Sequence, residues 1–361
     1  MTKDCFNQIP RVKALSRQTF EQEFLLQGKP VIFTDLFEGQ PVTDISDVEE
    51  VRYKLGDIPV TISEGFRPYL FTHINPSSQP SRHCSLNQYL DLITQEPETF
   101  LLCSENEVHD SIQKLFELPD YCQFGNLVGD LTHRLFLGNA GNYAHLHFDG
   151  DFRQVLFHQV FGSKQIIIFP ADAAPKLAPN KQWSMMCLEH FTEAEKDAFI
   201  KYAGGVQCIL NPGETLFFPA GVWHYLEYTT TGMSIATRFG RNKYTKFFGD
   251  RCHADSRLQR IAVRMIDEKK AASQFRAEYR QIEQAYNLPA RSVAEKVEQM
   301  TTAYQQVLRS MIGKSDPTYQ IPVTTKRVKE TFTLDAQYRY GDLIDPTPQF
   351  SGWQQLASSV N

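Results

Sequence analysis

Short apolar runs between residues 134 and 240, separated by Gly and Pro, are the feature that most constrains the fold of this chain. The runs are rich in β-branched and aromatic residues, which pack well in strands. Several short strands in succession are typical of a β-sandwich or barrel. The runs are RLFLGNAG, QVLFHQVFGSKQIIIFP, VQCILNPGETLFFPAGVWHYLEY and MSIATRFG. The sequence therefore predicts a mainly β core.

Composition places the chain among ordinary soluble globular proteins, with 42% hydrophobic and 22% charged residues. Its 361 residues are enough for one large domain and an appendage. The net charge of −5 gives no support to a nucleic-acid partner. The seven cysteines form no C-x-x-C pair and no apolar leader opens the chain. We therefore expect free thiols in a cytoplasmic setting, and no membrane span.

The N-terminal part mixes helices and strands. The segment 15–36 predicts a helix, a turn and a strand, with Ser16 as the N-cap and Gly28 as the helix stop. A strand is predicted over 58–63 from its alternation, and a helix over 85–94 from its spacing. These elements precede the β core and belong to the same predicted domain.

The pattern changes after about residue 250. Two apolar stripes with three-four spacing predict a helical hairpin over 251–314, and Ser292 with Glu295 forms a capping box at the start of its second helix. The predicted organisation is a domain over 1–250, this hairpin, and a C-terminal extension over 315–361.

The stretch NYAHLHFDGDFRQ, residues 142–154, carries the first candidate site. His145, His147 and Asp149 occupy alternate positions in a segment that is otherwise apolar enough to be a strand. Alternate residues of a strand share one face. Two imidazoles and a carboxylate on one face require either water or a positive charge beside them.

A His-x-Asp pair alone is a weak signal, and the chain has a second one at His253 and Asp255. A third ligand distinguishes them, because His224 follows the first pair and no histidine follows His253. Iron(II) oxygenases hold their metal with two histidines and one carboxylate on one face, leaving open positions. The first pair, His147 and Asp149, is therefore the better candidate.

The order of motifs resembles that of the JmjC-type cupins, which are iron(II)- and 2-oxoglutarate-dependent oxygenases. GNYAHLHFD, QVFGSKQIIIFP and LNPGETLFFPAGVWHYLE follow one another, and FEQEFLLQGKPVIFTDL precedes them. The likeness covers roughly residues 10–245. It is closest to the subgroup that contains the asparaginyl hydroxylase of hypoxia-inducible factor and the wybutosine hydroxylase. The resemblance implies a double-stranded β-helix, the jelly-roll or cupin fold, with the metal inside one end.

The resemblance implies that His147, Asp149 and His224 bind Fe(II), and that Lys164 binds the distal carboxylate of 2-oxoglutarate. His145 is not a ligand in the resembled pattern. The alternative for the triad is a buried hydrogen-bonded pair plus a core imidazole. The alternative for Lys164 is a solvated residue at a strand end.

Several positions depart from the family pattern. Ala144 stands where the family often has Thr, Val155 where Asn is common, and Phe100 where a cosubstrate-binding Tyr is common. Three polar contacts to the cosubstrate are therefore missing from the expected places. These losses raise the question of whether 2-oxoglutarate is used at all.

Arg238 is a cation that the family pattern lacks, since the family usually has Asn at this position. A guanidinium binds a carboxylate through two hydrogen bonds, so we assign Arg238 a catalytic and cosubstrate-binding role near the metal. It serves equally well for an anionic substrate or a different small acid. The remaining alternative is a salt bridge to Asp149 or Asp151.

The predicted function is an iron(II)- and 2-oxoglutarate-dependent hydroxylase of an unidentified substrate, either a protein side chain or a small molecule. The alternatives are a metal-binding cupin that does not use 2-oxoglutarate, and a non-catalytic scaffold that keeps the fold. Because C-terminal helices often pair between subunits in the resembled subgroup, we expect a homodimer through residues 256–312 of the hairpin. The alternative is a hairpin that folds back on its own barrel.

Overall fold

A computed structural model of the protein describes residues 8–64, 81–118, 131–150, 153–170 and 186–240 continuously. It also describes short pieces at 173, 176–177, 179–180 and 183–184, and scattered residues between 284 and 306. Among the helices in these residues, none has the length and apolar character needed to cross a membrane.

Fifteen strands in the described residues form two sheets. The first seven strands are β1 (Arg11–Val12), β2 (Val31–Phe33), β3 (Pro59–Glu64), β4 (Ser81–Ser85), β5 (Leu101–Glu107), β6 (Thr132–Gly138) and β7 (Tyr143–His147). The next four are β8 (Gln154–Phe161), β9 (Lys164–Phe169), β10 (Pro179–Asn180) and β11 (Trp183–Ser184). The last four are β12 (Val206–Leu210), β13 (Thr215–Phe218), β14 (Trp223–Tyr228) and β15 (Gly232–Phe239).

The helices lie mainly outside the sheets. The α-helices are α1 (Arg17–Thr19), α2 (Val48–Leu55), α3 (Leu86–Gln95), α4 (Asp110–Gln113) and α5 (Glu193–Ala203). A π-helix (Phe20–Leu25) continues α1, and 3₁₀ turns occupy Pro41–Asp44 and Leu188–His190.

Eight antiparallel strands form the barrel that the sequence predicted. The larger sheet has the order β1-β2-β13-β8-β15-β6-β5-β3-β4, and the smaller sheet the order β10-β11-β7-β14-β9-β12. Within them, β6-β15-β8-β13 faces β7-β14-β9-β12, and the chain alternates between the two sheets except where β9 pairs with β12. This topology is a double-stranded β-helix, so the predicted jelly-roll fold is confirmed.

Two apolar cores hold the layers together. One fills the barrel between the sheets, with Phe157, Ile166, Leu216 and Leu226 among its buried members. The other packs α2, α3 and α4 against the outer face of the larger sheet. Burial on both faces explains why β8 is an uninterrupted run of buried residues rather than an alternating strand.

The N-terminal predictions agree with the structure. The Ser16 side chain accepts a hydrogen bond from the Thr19 backbone N–H at 3.1 Å, and Gly28 adopts φ +60°. The predicted strand at 58–63 is β3, and the predicted helix at 85–94 is α3, whose N-cap forms a capping box. The π-helix within the first helical segment was not predicted.

The predicted hairpin over 251–314 and the extension over 315–361 lie almost entirely outside the described residues. Within the described part, the Ser292 hydroxyl accepts a hydrogen bond from the Glu295 N–H at 3.2 Å, as expected for the predicted cap. Lys296 donates a hydrogen bond to Glu195 of α5 at 2.6 Å. The start of this second helix therefore contacts the chain's own barrel domain.

The turn between β8 and β9 sets where Lys164 begins its strand. Gly162 has φ +68°, and a Cβ there would lie 2.2 Å from the carbonyl oxygen of Thr231. Gly39 has φ +80°, but a Cβ there would meet nothing within 4 Å. The two glycines therefore share a conformation and differ in the space around it.

We expect Gly162→Ala to lower the free energy of unfolding by roughly 1–3 kcal/mol more than Gly39→Ala. Both variants carry the backbone cost of a left-handed Ala, about 1–2 kcal/mol, so their difference measures the steric contact. Urea unfolding followed by circular dichroism gives both values. Equal losses in the two variants would show that the β8–β9 turn relaxes freely.

Candidate metal centre and cosubstrate pocket

Two neighbouring strands of the smaller sheet bring the predicted triad together. β7 carries His147 at its end with Asp149 just beyond, and His147 pairs in register with His224 of β14. The two imidazole centroids are 4.3 Å apart, and His147 Nε2 lies 3.8 Å from Asp149 Oδ1. One ligand atom from each of the three residues lies within 4.8 Å of the others.

Backbone carbonyls fix the histidine tautomers. His147 Nδ1 lies within hydrogen-bond distance of the backbone carbonyl of His145. His224 Nδ1 lies 3.0 Å from the backbone carbonyl of Val222. A carbonyl oxygen only accepts, so each Nδ1 carries the proton. Each Nε2 therefore keeps a lone pair, the arrangement found in metal-ligating histidines.

Near neutral pH the electrostatics of the site keep both imidazoles neutral and the Asp149 carboxylate ionised. Burial, together with the nearby His224, lowers the pKa of His147 to about 3. Burial also lowers the pKa of His224. Burial by itself raises the pKa of Asp149, but the Arg238 guanidinium and the two histidines outweigh it and lower that pKa. A divalent cation would therefore meet two neutral nitrogens and one carboxylate.

A β-bulge separates His145 from the triad. The register between β7 and β14 shifts between His224 and Leu226, so Ala144 pairs with Leu226 and both face the barrel interior. His145 turns to the other side, where its Nε2 lies 2.7 Å from the Ser184 carbonyl. The expectation that alternate residues share one face therefore fails at this bulge, because one residue is inserted.

Lys164 lies inside the barrel and is almost completely buried. Its Nζ donates a hydrogen bond to the Ser234 hydroxyl at 2.8 Å, and Ser234 in turn donates to Gln159 at 2.8 Å. The ammonium lies 3.9 Å from the centroid of Tyr228 and 4.6 Å from that of Phe157. Burial holds the pKa of Lys164 well below its usual value of 10.5. Although Lys164 begins a strand, it is buried, so the alternative of a solvated strand-end residue is wrong.

No carboxylate among the described residues forms an ion pair with Lys164. A buried ammonium is costly unless an opposite charge accompanies it, and aromatic faces compensate only part of that cost. Lys164 of β9 pairs with Tyr228 of β14. Ile168, four residues after Lys164 in β9, pairs with His224. The lysine and the triad therefore share the inner face of the smaller sheet, about 13 Å apart along the strand at about 3.3 Å per residue.

The wall between the lysine and the triad is apolar. Ala144 and Val155 both belong to the barrel core, so neither offers a hydrogen bond there. Phe100 lies immediately before β5.

The Tyr228 hydroxyl is buried and has no hydrogen-bond partner among the described residues. A donor thus exists near Lys164, at a position that the sequence pattern did not single out.

Arg238 is paired with a residue that the sequence did not suggest. Both of its terminal nitrogens donate to the Glu105 carboxylate, one of them at 2.7 Å. Glu105 adopts φ +57° where β5 departs from regular pairing with β6. Arg238 is also close enough to Asp149 to lower its pKa. The anticipated partner Asp151 lies outside the described residues.

The contacts that sequence reasoning missed are long-range. Glu105 and Arg238 are separated by 133 residues, and Lys164 and Ser234 by 70. No local pattern marks such pairs. The one available signal was Tyr228, which lies four residues after His224 and therefore on the same face of a strand.

Fold and triad together define a JmjC-type cupin, and the comparisons with known proteins agree. Residues 17–239 match the family described as Cupin-like domain, so the chain belongs to this family. The predicted cofactors, Fe(II) and 2-oxoglutarate, are those of the family's JmjC oxygenases. The donor set and the buried lysine fit both groups, since the triad could supply metal ligands and Lys164 could supply a cation for a carboxylate.

Among the similar proteins are lysine-specific demethylases. Lysine-specific demethylase 8 of Xenopus tropicalis is 23% identical over 240 residues, which are 63% of this chain and 52% of that protein. Lysine-specific demethylase JMJ30 of Arabidopsis thaliana is 24% identical over 242 residues, 63% of this chain and 54% of that protein. Arginine-specific demethylase JMJ22 of the same plant is 21% identical over 250 residues, 64% and 46% respectively. The chain spans about half the length of these relatives.

We expect Lys164→Met to stabilise the cofactor-free protein, raising its free energy of unfolding by roughly 1–3 kcal/mol, because it removes a buried polar group that lacks a counter-charge. The unfolded chain keeps the lysine proton to higher pH than the folded chain does. Wild-type stability therefore rises with pH from the lowered folded pKa up to the usual value of 10.5, and the advantage of Met shrinks over that window.

Chemical denaturation at several pH values measures this effect. Lys201→Met, on the exposed surface of α5, is the matched control and should change stability by less than about 0.5 kcal/mol. A destabilised Lys164→Met would mean that the fold needs the lysine for its own packing.

Proposed function

We propose that this chain is an iron(II)- and 2-oxoglutarate-dependent oxygenase that hydroxylates a protein side chain or a small molecule. The observation that carries the proposal is the buried Lys164, which has no carboxylate partner among the described residues and shares an inner face with the His147, Asp149 and His224 cluster. A cation and a metal-ligand set on one wall suit a dicarboxylate that places one end at the metal ligands and the other at the cation.

The residues of the chain divide the work of binding. The bound metal and its cosubstrate supply the oxidising chemistry, and the protein positions them. His147, Asp149 and His224 would hold the metal. Lys164 binds the distal carboxylate, and the apolar wall around Ala144 excludes water from the space between.

Tyr228 and Ser234 compensate for the missing family donors. Both lie beside the Lys164 ammonium, and the Tyr228 hydroxyl is a buried donor that lacks a partner within the described structure. A carboxylate at Lys164 would satisfy this hydroxyl. The loss of hydroxyls at Ala144 and Phe100 thus leaves the distal subsite with donors from two other strands.

Arg238 is proposed to contact the cosubstrate or the substrate at the open end. Its guanidinium is already charge-balanced by Glu105, so an incoming carboxylate either joins this pair or displaces Glu105 from it. The side chain of Arg238 is one-fifth exposed, whereas that of Glu105 is half exposed. Glu105 is therefore the partner with the greater freedom to move.

Methylated lysine and arginine are the first substrates to test. Two of the relatives are named lysine-specific demethylases and one an arginine-specific demethylase. Hydroxylation of an N-methyl carbon gives a product that loses formaldehyde, so demethylation uses the same oxidation. Unmethylated peptides in parallel separate side-chain hydroxylation from demethylation.

His147→Ala and Asp149→Ala should each weaken metal binding at least a hundredfold, because each removes one of three ligands from a site that packs within an otherwise complete barrel. Mn(II) is the probe, since it is stable in air and prefers oxygen and nitrogen ligands. Paramagnetic resonance of free Mn(II) measures the dissociation constant.

Asp197→Ala, on the exposed face of α5, is the control and should bind Mn(II) like the wild type. The circular dichroism of all variants should match, since the barrel core does not include the triad. Wild-type affinity in either ligand variant would remove the triad from the proposal.

Lys164→Met should weaken 2-oxoglutarate binding by roughly a hundredfold or more, because the distal carboxylate would be buried without its counter-charge, a loss on the order of 3–5 kcal/mol. Tyr228→Phe keeps the aromatic face and should weaken binding by roughly three- to tenfold. Arg238→Gln should have a smaller effect than Lys164→Met if Arg238 serves the substrate. The measurement is the charge-transfer band of the anaerobic Fe(II) protein during titration with 2-oxoglutarate.

Controls separate the alternatives to this function. Lys201→Met should titrate like the wild type, and all variants should keep iron because none changes a ligand. If the wild type binds iron but develops no band and forms no succinate in air, the chain is a metal-binding cupin that does not use 2-oxoglutarate. If it binds no iron at all, it is a scaffold that keeps the fold.

A further inference from the structure

A second cluster of metal-ligand side chains lies on the opposite side of β7 from the triad. His145 of β7 meets Cys187 and Glu189, which flank the start of the 3₁₀ turn Leu188–His190. One nitrogen, one sulfur and one carboxylate oxygen from these residues lie within 4.8 Å of one another. His145 and Cys187 are each 1% exposed, and the Glu189 side chain is 6% exposed.

The hydrogen bonds of His145 define what faces the carboxylate. Its Nε2 lies 2.7 Å from the Ser184 carbonyl, which only accepts, so Nε2 carries a proton. Its Nδ1 lies 3.2 Å and 3.4 Å from the two oxygens of Glu189, which also only accept when ionised. In the neutral imidazole Nδ1 is an acceptor as well. A proton or a metal ion must therefore lie between Nδ1 and Glu189.

A proton at Nδ1 or on the carboxylate meets this requirement for the histidine and the glutamate, but it does not involve the Cys187 sulfur. A metal ion accounts for all three groups. Two ligands about 2.0–2.1 Å from a tetrahedral ion stand roughly 3.3 Å apart, close to the observed separation of Nδ1 and Oε1. Imidazole, thiolate and carboxylate are all ligands of zinc.

We propose that His145, Cys187 and Glu189 bind a zinc-class divalent ion, separate from the iron centre. The thiolate makes the site softer than the triad, which holds only nitrogen and oxygen, so the two sites select different metals. This inference does not depend on the proposed oxygenase activity.

The role of the second ion follows from the two functions of residue 145. Its imidazole belongs to the cluster, while its carbonyl accepts the hydrogen bond from His147 Nδ1 that fixes the iron ligand's tautomer. An ion held by Cys187 and Glu189 would therefore clamp the segment that orients His147. Changes at such outer contacts typically alter metal affinity by roughly 10- to 100-fold.

Co(II) tests the proposal, because thiolate coordination gives a near-ultraviolet charge-transfer band that nitrogen and oxygen ligands do not give. The metal-free full chain is titrated with Co(II) alone under reducing conditions. We expect two equivalents per chain and a thiolate band that saturates with one of them. Cys187→Ser should lose that band and one equivalent, and Cys208→Ser, elsewhere in the barrel, should keep both.

His147→Ala should show the reverse pattern, with loss of one equivalent and retention of the thiolate band. Glu189→Gln should weaken the Co(II) affinity of the second site at least tenfold without removing the sulfur. A single equivalent in the wild type, a wild type without the band, or a band that persists in Cys187→Ser would each overturn the proposal. The wild-type titration decides the question even if a variant fails to fold.

Discussion

The site depends on the way β7 pairs with β14. His147 and His224 are directly opposed, so a single register places two imidazoles side by side. One step further along, the register shifts, and the inserted residue turns His145 to the far side of the sheet. A one-residue change of register reverses every side chain of a strand. The bulge thus decides which histidine of the run belongs to the interior and which does not.

The barrel interior accepts a charge that the fold does not neutralise. Lys164 is surrounded by aromatic rings and the hydroxyls of Ser234 and Tyr228, and burial disfavours its charged form. A purely structural position would hold an apolar residue of the same length. Such a costly group in a closed space supports the proposed binding role of Lys164, because a ligand's charge would compensate what the protein leaves unbalanced.

The sequence was sufficient for the fold, and the structure brings together the three candidate ligands that the sequence suggested. Strand runs between Gly and Pro predicted the barrel, and His224 separated one His-x-Asp pair from the other. It was not sufficient for the Arg238–Glu105 pair or for the side to which His145 points. Those features depend on a contact across 133 residues and on a bulge, neither of which leaves a local pattern.

Charge balance explains how the departures from the family pattern fit together. In the proposed complex, a divalent metal with Asp149 carries one positive charge and protonated Lys164 carries another. A cosubstrate dianion balances both, so the filled interior is neutral without Arg238. Arg238 and Glu105 already balance each other at the edge of the site. The pair is therefore free to respond to the charge of a substrate: a cationic side chain would compete for Glu105, and an anionic one for Arg238.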